Sequence, residues 1–175
     1  MQKTPTSLTE TYEVDTIDGG TTIVPTVVNL REARILAREF PAVITAGPTR
    51  KEANFGHPNH LIRTFDDVTH KSSYSPTASA ALQLVEFGAK QTGPLLIHCH
   101  AGMSRSTATA IGVLLARGVD AIEALETLSE IHPIGRAFIP NPLILGFIGE
   151  RYGVPNLPKL AENYEYDGPF YGDYL

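Results

Sequence analysis

A thiol, a guanidinium and a hydroxyl stand close together in the run His98-Cys99-His100-Ala101-Gly102-Met103-Ser104-Arg105-Ser106. A thiolate is a strong nucleophile, and a guanidinium can fork two N–H bonds onto phosphate oxygens. The run follows the short apolar stretch Leu95-Leu96-Ile97 and leads into apolar residues at helical spacing, Ala108, Ile111, Leu114 and Leu115. It is therefore read as a strand-to-helix turn. Such a turn aims several backbone N–H groups into one concavity, and the dipole of the helix that follows favours an anion there. Gly102 permits the tight curve. Residues His100, Ala101, Gly102, Met103 and Ser104 would supply the cradle together with Arg105, with Cys99 at its base.

The same amides, dipole and guanidinium favour thiolate over thiol. Cysteines at helix N-termini reach pKa values of about 3.5–7.5, against about 8.5 for a free one. Attack of Cys99 on phosphorus would give a cysteinyl-phosphate that water then hydrolyses. Ser106 is placed to hydrogen-bond the sulfur as it leaves in that second step. The first step also needs an acid to protonate the departing alkoxide or phenoxide. Asp66 and Asp67 close the stretch His60-Leu61-Ile62-Arg63-Thr64-Phe65. Active sites of open α/β sheets assemble at such strand ends. Either carboxyl qualifies on this ground, and the other would cap the turn or face solvent.

The remaining polar residues are read more plainly. Two adjacent imidazoles and a thiolate do not readily converge on one ion, so His98 and His100 predict no metal, and no cofactor is expected. His98 is expected to orient the loop by hydrogen bonds. His57 and His60, around Pro58-Asn59, are read as surface-loop residues, and Arg50 and Lys51 as solvated ones. Tyr164, Tyr166, Tyr171 and Tyr174 are expected to pack a tail onto the surface.

The elements that must position these groups follow from periodicity. Residues 29–40 read as an amphipathic helix that Pro41 stops, and Ala42 to Ala46 as a buried strand ended by Gly47-Pro48. Residues 49–59 read as a polar loop, 60–65 as a second strand, 77–90 as a helix and 95–98 as a central strand. Helices are predicted over 106–117, ended by Gly118, over 121–131, capped by Asp120, and over 143–152. Strands alternating with helices give an α/β fold, a mostly parallel central sheet flanked by helices. Residues 1–16 are expected to form a loose arm, 17–154 the domain, and 155–175 a tail without regular structure.

The chain's 175 residues, 42 % hydrophobic and 19 % charged, suit one folded domain. A net charge of −5 argues against a nucleic-acid binder, so any phosphate site must work by its local field. The single cysteine excludes an intramolecular disulfide and a Cys-rich zinc site. No signal-peptide pattern and no membrane-length apolar run is visible, so the expectation is a cytoplasmic protein in which the thiol stays reduced.

The five residues between Cys99 and Arg105 resemble the C-x5-R signature of protein tyrosine phosphatases. The fuller run is similar to the H-C-x-A-G-x-S-R-S form of their dual-specificity branch. The distance from Asp67 to the cysteine is similar to that branch's general acid, which favours Asp67 over Asp66. Pro140-Asn141 before an apolar helix is similar to its P-N-x-x-[FL] segment. The resemblance spans roughly residues 27–152 and implies a phosphatase fold, no metal, and a phosphorylated protein or small phosphate ester as substrate. The absence of tryptophan means that the W-P-D loop of the classical enzymes is missing. Rival readings are a module that binds phosphorylated partners without turnover, an RNA triphosphatase and an arsenate reductase. The acidic chain disfavours the triphosphatase, and the lack of a resolving cysteine disfavours the reductase.

Overall fold

Four short parallel strands carry the site. They are β3 (Thr26–Val28), β4 (Ala42–Gly47), β5 (His60–Thr64) and β6 (Leu95–His98), hydrogen-bonded in the order β3-β6-β4-β5. A separate antiparallel hairpin, β1 (Glu13–Asp15) with β2 (Thr21–Ile23), precedes them. The structure, a computed structural model, describes residues 7–167. Strand β4 lies between β6 and β5 and is buried along its whole length. Its run Ala-Val-Ile-Thr-Ala-Gly is what a strand covered on both faces requires. Register sets Thr45 opposite both Ile62 and His98.

Because side chains alternate along a strand, β4 and β6 divide their residues between two faces. Ala42, Ile44 and Ala46 join Leu95 and Ile97 in the larger apolar cluster. Over it pack α3 (Ala78–Ala89), α4 (Arg105–Ala116), α5 (Ala121–Ile131) and α6 (Pro142–Tyr152). Every residue of α4 from Ser106 to Leu115 is buried. On the other face Val43 and Leu96 join Val28, Ala33, Ala37 and Phe40 in a smaller cluster under α1 (Leu30–Leu36), with Phe55 against it. Asn29 and Glu32 start α1 with a reciprocal capping box, and a 3-10 turn over Ala37–Glu39 ends it before Pro41.

The expected α/β fold, with a parallel sheet flanked by helices, is the fold observed. Several local readings need correction. Residues 49–59 are not wholly loop: Thr49 and Glu52 form a capping box that starts the single-turn helix α2 (Arg50–Ala53). Residues 155–167 are not without regular structure, since α7 (Leu157–Ala161) buries Leu157 and Ala161 against the larger cluster. Three-residue strands are too short to show alternation, which is why β1, within the expected loose arm, as well as β2 and β3, escape a periodicity reading. Tyr164 donates to Glu126 Oε1 at 3.3 Å, and Tyr166 bridges Phe138, so both pack as expected. Tyr171 and Tyr174 lie outside the described residues. No described helix is long and apolar enough to cross a membrane.

Candidate active site

Strand β6 ends by delivering Cys99, which is buried, and α4 begins at Arg105, as the strand-to-helix reading requires. Between them the chain curls around the sulfur. Cys99 Sγ accepts the Gly102 N–H at 3.2 Å and lies 3.1 Å from Ser106 Oγ. Gly102 has φ +73, and a Cβ there would stand 2.8 Å from the Val28 carbonyl carbon and 2.9 Å from the Asn29 nitrogen. Neither backbone atom can yield, so the curl requires glycine.

The loop's carbonyls are tied to the surrounding chain. His100 O accepts from Leu30 N, Met103 O from Ile139 N, and Ser104 O from Asn141 N, at 3.0–3.1 Å. Thr107 Oγ1 adds bonds to Met103 O and Ser104 O at 2.7 and 2.8 Å. In a planar trans peptide the next N–H points opposite the carbonyl. Tying these oxygens outward therefore turns the N–H groups of Ala101, Ser104 and Arg105 the other way. The predicted cradle residues His100, Ala101, Gly102, Met103 and Ser104 thus lie on one loop, anchored by α1 and by the segment before α6.

Arg105 is held by the ends of two other strands. Its Nη1 donates to Phe65 O at 2.7 Å, just past β5. Beneath it, Gly47 ends β4 with φ +111; a Cβ there would overlap Nη1 and stand 2.5 Å from Cζ. Arg105 Nε is buried without a hydrogen-bond partner among the described residues.

The two aspartates separate clearly. Asp67 Oδ1 accepts from Ser104 Oγ at 2.7 Å and from Asn141 Nδ2 at 2.9 Å, which fastens the carboxyl to the cysteine loop. Both aspartates are exposed, but Asp66 is held through its backbone, whose N–H bonds Tyr74 O at 2.7 Å. Asn141 is fully buried and is a residue that residue-by-residue reading missed. Its Oδ1 caps α6 at the N–H groups of Leu143 and Ile144, while its Nδ2 holds Asp67 and the Val68 carbonyl. The Pro140-Asn141 step before an apolar helix carried the cap signal, but nothing local announced the second bond.

His98 orients the loop, as expected, through its contact with the Cys99 carbonyl: Nδ1 lies 3.0 Å from that oxygen. Its other nitrogen lies 2.6 Å from Thr45 Oγ1, and the same oxygen lies 2.8 Å from His60 Nε2. Burial holds both His60 and His98 down at about 4. His60 is therefore not the surface-loop residue the sequence implied, since it opens β5, whereas His57 does lie in the loop before it. His57 donates from Nε2 to Phe40 O at 2.8 Å, and Phe55 stacks on His60 with centroids 5.5 Å apart. Arg50 and Lys51 are exposed, as read. Among the described residues no three His, Cys, Asp or Glu side chains are grouped to hold a metal ion.

No family model matches this chain, and no curated protein does. Solved structures do. The chain is similar to Tk-PTP in its active form, with 20 % identity over 75 % of this chain and 90 % of that one and a TM-score of 0.52. It is also similar to PTPMT1, solved in complex with PI(5)P, at 19 % identity over 82 % and 92 % of the two chains and a TM-score of 0.49. The Yvh1 phosphatase domain from Chaetomium thermophilum follows at 24 % identity, 70 % and 86 % coverage and a TM-score of 0.47. With its four-stranded parallel sheet flanked by helices, the chain has the protein tyrosine phosphatase-like fold.

Proposed function

We propose that this chain hydrolyses phosphate monoesters through a cysteinyl-phosphate on Cys99, as a protein tyrosine or dual-specificity phosphatase. One observation carries the reading. A thiol, a guanidinium with a free buried donor, a hydroxyl beside the sulfur and a tethered carboxyl all meet at one helix N-terminus. Each then has a role. Loop N–H groups and Arg105 hold the phosphate oxygens and neutralise charge that grows on them in the transition state. Cys99 Sγ attacks phosphorus while the ester oxygen departs. Both hydrogen bonds to Asp67 fall on Oδ1, so Oδ2 is the oxygen left to carry the proton that the leaving group takes. Asp67, then a carboxylate, accepts a proton from the water that cleaves the S–P bond, and Ser106 Oγ hydrogen-bonds the departing sulfur.

On this reading the catalytic unit takes in β1 through α7, because Val14, Leu157 and Ala161 share the larger apolar cluster, and it acts on a phosphorylated protein or a small phosphate ester. A module that only binds phosphate would have no use for a carboxyl fastened beside the nucleophile.

The test is hydrolysis of a small aryl phosphate by the wild type and by Cys99→Ser, with a chelator present. Turnover that survives the chelator and disappears in the variant is the expected result. A folded, reduced wild type without turnover would overturn the reading.

A further inference from the structure

Three residues far apart in the sequence form one chain of hydrogen bonds behind the nucleophile. His60 opens β5, Thr45 lies within the central strand β4, and His98 ends β6 directly before Cys99. All three point to the face covered by α1, where Phe55 lies against both imidazoles, 5.5 Å from His60 and 5.3 Å from His98.

The direction of the chain follows from its last acceptor. A backbone carbonyl can only accept, so the bond to Cys99 O places a proton on His98 Nδ1. Held near 4 by burial and by the charge of Arg34, His98 is neutral at ordinary pH and carries no second proton. Its Nε2 is then a bare acceptor, and the Thr45 hydroxyl must donate to it. Having given its only proton to His98, Thr45 can meet His60 Nε2 only as an acceptor, so His60 carries its proton on Nε2. His60 is also kept neutral, by burial and by His98, His57 and Arg50 around it. The donors therefore run one way, from His60 through Thr45 and His98 to the carbonyl of the cysteine itself.

We infer that Thr45 and His60 are positioning residues for the cysteine loop, holding the proton on His98 Nδ1 so that the Cys99 carbonyl stays turned to the ring. The planar peptide then turns the His100 N–H to the opposite side, which completes the cradle that the tied carbonyls of His100, Met103 and Ser104 begin. If Thr45 could no longer donate to His98, the ring would lose the partner that keeps Nε2 bare. A proton on Nε2 would put a lone pair of Nδ1 against the carbonyl oxygen and release the peptide. The role in turnover rests on the phosphatase reading, but the proton arrangement can be read without it.

Thr45→Val tests this, because it removes the hydroxyl at nearly constant volume, and Thr45→Ser restores the hydroxyl. Nitrogen-15 resonances of the imidazoles report which nitrogen bears the proton. The wild type and Thr45→Ser should show His98 protonated on Nδ1 and His60 on Nε2. In Thr45→Val the His98 signals should move toward a mixture of the two tautomers. In parallel, kcat/KM for an aryl phosphate should fall about tenfold in Thr45→Val, the size of one lost hydrogen bond, and should recover in Thr45→Ser. His60→Phe keeps an aromatic ring beside Phe55 and is the second probe; it too should mix the His98 tautomers, by freeing the Thr45 hydroxyl to turn. A wild-type His98 protonated on Nε2, or a folded Thr45→Val with wild-type nitrogen signals and rate, would overturn the inference. The expected tautomers in a protein without turnover would leave the relay standing and overturn the phosphatase reading instead.

Discussion

The two faces of the sheet are built from opposite materials. Under α3 to α6 lies an apolar cluster in which Ile44, Leu95, Ile97, Ile111, Leu114 and Leu145 are fully buried. Under α1 the apolar cluster is small, and the same strands place Thr45, His60 and His98 beside it. Burial of apolar area is non-directional and tolerates small displacements, whereas a hydrogen-bond chain works only at fixed distances and angles. One face therefore supplies most of the stability and the other supplies aim. The cysteine is joined to both, through α4 on the first and through His98 on the second.

This division can be broken from either side. Ile111→Ala, on the larger face, should cost about 2–5 kcal/mol of stability, read as a lower urea midpoint, while turnover per folded molecule stays near wild type. A comparable loss of turnover would mean that the larger face also aims the site. Arg105→Lys should reverse the pattern. A point charge cannot replace the fork, so kcat/KM should drop by about 10²–10³, the scale of one lost transition-state donor, with the melting temperature unchanged. Gly47→Ala should move in the same direction, because its Cβ would push the guanidinium off the end of β4.

Asp67→Asn comes next. Turnover of esters with poor leaving groups should fall by about 10², esters of acidic phenols should be spared, and Asp66→Asn should behave as wild type. A larger effect from Asp66→Asn would contradict the geometry at Ser104 and Asn141. The smallest effect expected is on stability against pH. His60 and His98 ordinarily titrate at 6.5 and are held at about 4 in the folded chain. Between those values the unfolded chain binds more protons, so stability is complete above about 6.5 and is lost as pH falls toward 4. Urea midpoints at several pH values should show this, and His98→Gln should flatten the slope. His132, also buried and held at about 4 near the end of α5, should leave part of the slope in place.

How much of this could be read in advance depends on how local the determinants are. The run from Cys99 to Ser106 was legible because a strand-to-helix turn is a short-range device, and its thiol, guanidinium and hydroxyl all lie within it. The α/β architecture was legible for the same reason: β4 and β6 are short apolar runs ended by glycine, proline or polar residues, and the long helices carry caps at Thr77, Asp120 and Asn141. Asp67 was separable from Asp66 only because its distance from the cysteine resembles that of the phosphatase family's general acid, since neighbours at a strand end look alike until the loop's partners are known. The relay was illegible because it depends on register. Thr45 meets His98 only because those two residues are paired across β4 and β6, and His60 joins them from the neighbouring strand. A histidine beside Pro58-Asn59 looks solvated until Phe55 is seen lying on it.

Asn141 has a further consequence, which concerns heat. One amide side chain starts α6 with its oxygen and secures the Asp67 carboxyl with its nitrogen. Helix ends open locally at free energies well below that of global unfolding. Whenever the first turn of α6 frays, Asp67 loses one of its two tethers while the sheet and α4 remain intact. Warming should therefore reduce turnover of esters with poor leaving groups below the temperature at which the protein melts. Binding of inorganic phosphate by the cysteine loop should persist until melting begins.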